Sequence, residues 1–392
     1  MLNRRSLRVK VMQTLFAYYQ CREANFNLGR AEVEDFFKPN LNSMEPQDKE
    51  VLKKKSVQAR KLFGSKVYET TTKETIVSDK DVEKAVADAH KLFLDNTAKD
   101  FILLKKEMIR DAEALVDYFL WIISLLLGWA ELNEKEVKKK QQISPERLLS
   151  GDFNLSKNVI LKLFKESHSI QTAIAKKDIH WQEEEDTIKN WYKEVLKKDE
   201  LFNEYRRTAN PGFKEDKAII EHIVKSLIFK TDVINSFFEA KDMHWEENKP
   251  IVRSLVTRSI RDIEKNTQSK DISLPDFSNN WEEDREFFEK ILEETVQRDK
   301  ELSDMIAAKT KNWEIDRIAG TDQIILKMAL AEMLNFRNIP VKVTINEYIE
   351  LSKNYSTPKS KQFVNGILDV VSSELKTSGK LKKSGRGLLD NK

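Results

Sequence analysis

A single cysteine, Cys21, in 392 residues removes whole classes of protein at once. No disulfide framework can form within the chain, and no zinc or iron–sulfur site can be built on several of its thiolates. Glycine and proline are scarce, at 10 and 8, where glycine alone averages about 7% of residues. That scarcity argues against collagen-like, linker-rich and turn-rich all-β chains. Long apolar runs are missing as well. The most apolar stretch, residues 118–130 (YFLWIISLLLGWA), lies between Asp117 and Glu131 and falls short of the ~20 residues a bilayer-spanning helix requires. It reads as a buried core helix. The start is basic, but no apolar run with a small-residue cleavage site follows it, so a soluble, cytoplasmic protein with no membrane contact is expected.

What the chain has in abundance is charge: 34% of residues are charged, 68 basic against 65 acidic, with 40% hydrophobic. Such a balance with few helix breakers favours long helices with solvated faces. The net charge of +3 hides an asymmetry. Residues 1–20 hold Arg4, Arg5, Arg8 and Lys10 and no acid, and residues 357–392 hold eight basic residues against three acids. The ends are therefore basic and the middle acidic, and a polyanion would meet the ends.

The pattern predicts a first helix over about Arg4–Gln20, with Val11, Met12, Leu15 and Tyr19 on one face. Arg4 and Arg8 share the azimuth of Val11 and Leu15, so the apolar stripe turns cationic in its first turns. A helix N-terminus favours acids and repels cations. Either an anionic ligand or acids from the middle region must balance them. Residues 38–110 carry Pro39, Pro46, Lys53–Lys55 and Thr70–Thr72 and a poorer apolar stripe; they read as an inserted segment with helices near 46–63 and 80–109. A core helix follows at 111–132.

A repeat runs from 180 to 316. HWQEE, GFKED, HWEEN, NWEED and NWEID place Trp181, Phe213, Trp245, Trp281 and Trp313 at spacings of 32, 32, 36 and 32. An aromatic followed by acids suits a helix start, the acids facing the dipole and the aromatic seating on the core. Asn280 and Glu283 suggest a capping box, and about 32 residues accommodate two short helices.

In the last third, Ile318, Ile325, Leu326, Ala329, Leu330, Met333 and Leu334 make one helical face. Thr344 and Glu347 suggest a capping box opening the next helix, and Thr357-Pro358 the start of the last, striped by Phe363, Val364, Ile367, Leu368 and Val371. Gly366 within that helix suggests close approach by another one. The Ser-, Gly- and Lys-rich residues beyond Lys376 suggest a flexible basic tail. Lys359 and Lys361 repeat the anomaly of cations in a first helical turn, and two such starts point to one shared anionic ligand. Phe363 beside them offers either a stacking face for an unpaired base or a core contact.

The start LNRRSLRVKVMQTLFAYYQ resembles the first helix of the transcription antitermination factor NusB family. Residues from about 318 to 371, above all ILKMALAEM, IPVKVTINEYIELSK and KSKQFVNGILD, resemble that family's C-terminal half. The resemblance implies an all-α fold, two small helical subdomains packed together, with the repeat-like region added. It implies a factor that binds the single-stranded boxA element of ribosomal RNA transcripts with NusE, a small-subunit ribosomal protein, and acts on RNA polymerase within an antitermination complex. By position, Arg4, Arg5 and Arg8, with Lys10 beside them, and Lys359, Lys361 and Phe363 fall in its RNA-contacting segments, while Phe16 and Asp322 fall on its NusE-facing surface. Lys359 stands where relatives can carry an acid.

The expected organisation is an N-terminal helical subdomain over 1–140 with an insertion at 38–110, a repeat region over 141–279, a C-terminal subdomain over 280–376 and the tail over 377–392. No enzyme, cofactor or metal is expected. No phosphate loop, metal-spaced histidine cluster or catalytic triad pattern occurs, and the methyltransferases to which such domains can be fused need a donor-binding domain this sequence lacks. The competing expectation is a helical protein–protein scaffold without sequence-specific RNA binding.

Overall fold

Helix is the default of a chain poor in glycine and proline, and the computed structural model is α-helical without strands throughout its described residues, 1–40, 46–68, 79–309 and 319–391. The expectations placed on Thr70–Thr72, Trp313 and Ile318 lie outside those residues.

Two compact units form. One comprises Met1–Ser6 and Arg110–Asp284, the other Leu7–Ile109 and Arg285–Lys392. This division departs from the expected boundaries, because the helix α3 (Lys80–Ile143) is continuous where two helices were expected and contributes one part to each unit. Its only glycine is Gly128 and it contains no proline, so nothing in it breaks the backbone pattern. α3 is long and apolar enough to pass for a membrane span, but Phe119, Leu120, Ile122, Ile123, Leu125, Leu126 and Trp129 are buried within the protein, as in the core helix of a globular domain.

In the unit that contains Arg110–Asp284, Trp181 and Trp245 of the repeat are buried in the core, whereas Phe213 and Trp281 are half-buried. Phe213 opens α9 (Phe213–His222) and Trp245 opens α11 (Trp245–Arg261), each followed by two acids in the first turn. Trp181 instead precedes its helix, α7 (Glu185–Trp191). The 32-residue spacing holds a helix pair: α9, prolonged by a π-helical turn, is followed by α10 (Asp232–Lys241). Trp245 stacks on Phe238 at 4.6 Å and meets Tyr118 of α3 edge-on at 5.5 Å. Trp181 meets Trp121 of α3 at 4.7 Å. Two buried polar pairs lie in it: Asp152 accepts from Lys140 at 2.8 Å, and Tyr205 donates to Asp216 at 2.6 Å.

The other unit holds α1 (Arg4–Phe36) from Leu7 onward, and that helix runs well past the expected end at Gln20. Its second half buries Val33 against Ala59 and Phe63 of α2 (Lys49–Val67) and against Val82, Ala85, Ala89 and Phe93 of α3. The segment read as an insertion thus has an apolar cluster of its own, shared with α1. Lys105 of α3 pairs with Glu289 and Glu293 of α12 (Trp281–Gln297) at 2.9 and 2.6 Å. α13 (Asp299–Ala307) packs on α14 (Gly320–Asn335), and α14 packs on α15 (Val341–Tyr355) and α16 (Ser360–Thr377). α14 is buried nearly all round, as a helix at the centre of a bundle must be.

Four local expectations are corrected. α15 begins at Val341, so Thr344 sits inside it, and the Thr344 hydroxyl goes to Glu332 instead of capping. α16 begins at Ser360, after the Thr357-Pro358 pair. Among the described residues nothing approaches the place of a Cβ at Gly366 within 4 Å, and the residue is exposed, so the expected close approach is not seen there. The tail is docked on the bundle, as described below.

Gly29 of α1 is a position where close approach requires glycine: a Cβ there would collide with the Phe63 ring. Gly29→Ala is expected to cost roughly 1–3 kcal/mol by overpacking, and Phe63→Leu in the same chain is expected to relieve part of that loss. Urea denaturation of the single and double variants checks this; additive losses would contradict it.

Candidate nucleic-acid interface

The cationic start of α1 divides into two parts with different fates. Arg8 enters the core: its Nε donates to Glu332 Oε2 at 2.7 Å and its Nη2 to Glu332 Oε1 at 2.8 Å, with the Glu332 side chain fully buried. Glu332 also accepts from Thr344 Oγ1 at 2.8 Å and from Tyr348 Oη at 3.1 Å. Glu347 lies 3.7 Å from Arg8 Nη1. The guanidinium carbon stands 5.2 Å from the Phe287 ring centre and 5.7 Å from that of Tyr348. Burial by itself lowers an arginine pKa, but here Glu332 more than offsets it by charge and hydrogen bonding, so the net shift is upward and Arg8 stays ionised.

Arg8 is therefore corrected from RNA contact to core ion, and Lys10, also buried, is corrected with it. Acids of the chain, the alternative to an anionic ligand, balance Arg4 too, which pairs with Glu283. Arg5 is exposed.

At the start of α16, Lys359 and Lys361 are exposed and Phe363 is half-buried. Between them Ser360 turns inward, donating to Asp322 Oδ2 at 2.6 Å and meeting the Thr357 hydroxyl at 2.8 Å. Alternation of outward lysines with an inward serine leaves both charges at the positive end of an 18-residue helix, where the dipole favours an anion. Asp322 is buried. It fixes the α16 start and does not present a surface carboxylate to a partner, which corrects its expected role.

Phe16 is 49% exposed. It lines a cleft of about 260 Å³ with Tyr19, Phe26, Tyr68, Phe93 and Lys327. Tyr68 and Phe93 come from the segment read as an insertion. Beside the cleft, Asp299 accepts from Tyr19 at 2.6 Å, Lys327 at 2.5 Å and Arg22 at 3.2 Å, tying α1, α13 and α14 together. Sequence reasoning missed Glu332, Tyr348, Asp299, Tyr68 and Phe93, and gave Thr344 a capping role only. Only Glu332 left a signal: a lone acid inside the apolar run ALAEML.

A search against family models matches residues 250–373 to the NusB family. A curated relative from Chloroherpeton thalassium, a transcription antitermination protein NusB, is 46% identical over 106 residues, 27% of this chain and 50% of that protein. A protein of the same name from Methylacidiphilum infernorum is 42% identical over 105 residues, again 27% of this chain but 71% of the relative. The chain belongs to the NusB family. A third NusB, from Salinibacter ruber, is 44% identical over 105 residues, 27% of this chain and 66% of its own length. The matched part of the chain thus spans about half the length of the Chloroherpeton NusB. No solved structure matches. The NusB match contains Glu332, Thr344, Tyr348 and the α16 start but not Arg8, so the buried ion pair joins a residue inside the matched region to one outside it.

Glu332→Gln leaves the Arg8 charge buried without its counterion and is expected to cost about 3–5 kcal/mol. Adding Arg8→Met should recover part of the loss. Chemical denaturation decides: wild-type stability of Glu332→Gln would contradict the core role of the pair.

Proposed function

We propose that this NusB-family protein is an RNA-binding transcription antitermination factor. It acts on ribosomal RNA transcripts by binding a boxA-like single-stranded element together with NusE, within the antitermination complex of RNA polymerase in the cytoplasm. The observation that carries this is the match of the C-terminal helices, at 42–46% identity, to proteins named transcription antitermination protein NusB. The local chemistry supports it. Lys359 and Lys361 offer charge to phosphates at a helix N-terminus, and the Phe363 ring beside them suits an unstacked base. Arg5, in the other unit, is a separate exposed cation at the start of α1. The exposed Phe16 and its aromatic cleft suit an apolar side chain of NusE, with Asp322 holding the neighbouring helix start in place. Nothing in this reading requires catalysis or a cofactor.

The competing role is a protein scaffold without RNA specificity, and salt separates the two. Phosphate neutralisation makes log K for a single strand fall with log salt by roughly 0.7 per contact, whereas apolar docking gives little slope. Titration of a boxA-like RNA should show Lys359→Ala/Lys361→Ala binding more weakly, with a slope smaller by about 1.4, the product of 0.7 and two contacts. An unchanged slope would remove these lysines from the interface. Phe16→Ala should weaken capture of NusE while leaving the affinity for RNA alone intact; a loss of RNA affinity instead would move Phe16 to the RNA face.

A further inference from the structure

The run Lys376–Leu389 carries five cations and no acid, yet it does not trail into solvent. α16 closes with Gly379 at φ +70°, Lys380 N donating to Leu375 O at 3.0 Å and Gly379 N to Lys376 O at 3.1 Å. This is the glycine-terminated helix end that reverses the chain. The chain then returns to the α14–α15 turn. Lys383 Nζ donates to Phe336 O at 2.9 Å, Ser384 N to Arg337 O at 3.0 Å and Ser384 Oγ to Asn338 Oδ1 at 3.3 Å. Gly387 is buried, and a Cβ on it would collide with the Arg337 carbonyl, so the seat is built for glycine.

The seat gathers positive charge. Lys382 and Arg386 flank Ser384, both exposed, and Arg337 and Lys342 are exposed on the element they dock against. The first turn of α15 holds no acid, so the helix dipole adds to this potential. The patch also lies at the end of the unit where Arg8 enters. The Arg8 guanidinium is 5.2 Å from the Phe287 ring, and that ring is 5.0 Å from Phe336, whose carbonyl holds Lys383. From here α15 runs 15 residues towards the α16 start, or about 22 Å at 1.5 Å per residue, so that cations stand beyond both ends of one helix.

We infer that the docked tail, with Arg337 and Lys342, is a basic strap that contacts the phosphate backbone of single-stranded RNA without reading its bases. The inference rests on the RNA-binding function proposed above and adds a contact surface to it. Positive side chains held in a fixed place suit a phosphate chain and give affinity without sequence information.

The test is titration of the full chain with a boxA-like RNA across a salt series, with folding of each variant checked by circular dichroism. Lys382→Ser/Arg386→Ser should bind severalfold more weakly, with a slope smaller by about 1.4 for two lost contacts. Gly387→Val keeps every charge but unseats the strap, and should also weaken binding. Wild-type affinity and slope in Lys382→Ser/Arg386→Ser would overturn the inference. So would retention of the RNA slope together with loss of binding to polyglutamate, which would assign the strap to an acidic protein. If Lys359→Ala/Lys361→Ala weakens RNA binding and the tail variants do not, the strap alone fails; if the wild-type chain binds no boxA-like RNA, both fail.

Discussion

The buried pair of Arg8 and Glu332 is the constraint on which the second unit depends. Two charges removed from water are tolerated only with full compensation, and the compensation here draws on four helices. α1 supplies the guanidinium, α14 the carboxylate, α15 the Thr344 and Tyr348 hydroxyls, and α12 the Phe287 ring. Each hydrogen bond has a direction, so the network sets rotation and register as well as proximity. Apolar packing alone, indifferent to small slips, would not hold four helices to one arrangement so tightly.

That requirement sorts the cations of the molecule. Among the described residues Arg8, Lys10 and Lys327 are turned inward and committed to architecture. Many others are turned outward, among them Arg5, the lysines at the start of α16 and those of the docked tail. Placing outward cations at the positive ends of α15 and α16 costs a few tenths of a kcal/mol each while nothing is bound. An anion lying across these ends reverses the sign of that term. The same local disadvantage that makes these positions poor for an isolated helix makes them suited to a polyanionic ligand.

The segment between α1 and the apolar half of α3 does more than lengthen the chain. With the second half of α1 it forms a cluster around Phe63, and it delivers Tyr68 and Phe93 to the cleft beside Phe16. An element with no counterpart in the sequence resemblance thereby shapes the face on which a protein partner is proposed to dock.

Much of this was legible in the sequence, and the failures have a common cause. The scarcity of glycine and proline, the apolar stripes and the aromatic–acidic repeat identified an all-α chain and the helix starts at Phe213, Trp245 and Trp281, because these signals are local. The capping box proposed at Thr344 failed because the hydroxyl had a stronger claim from a carboxylate twelve residues away. The cationic start of α1 was recognised as an anomaly needing an anion, but not which anion. Glu332 stands 324 residues from Arg8, and no periodicity spans that distance. Helix content, charge distribution and family likeness are thus properties of the sequence itself. Which cations are solvated and which are buried was decided only when distant segments met, because solvation of a charge depends on what the fold brings against it.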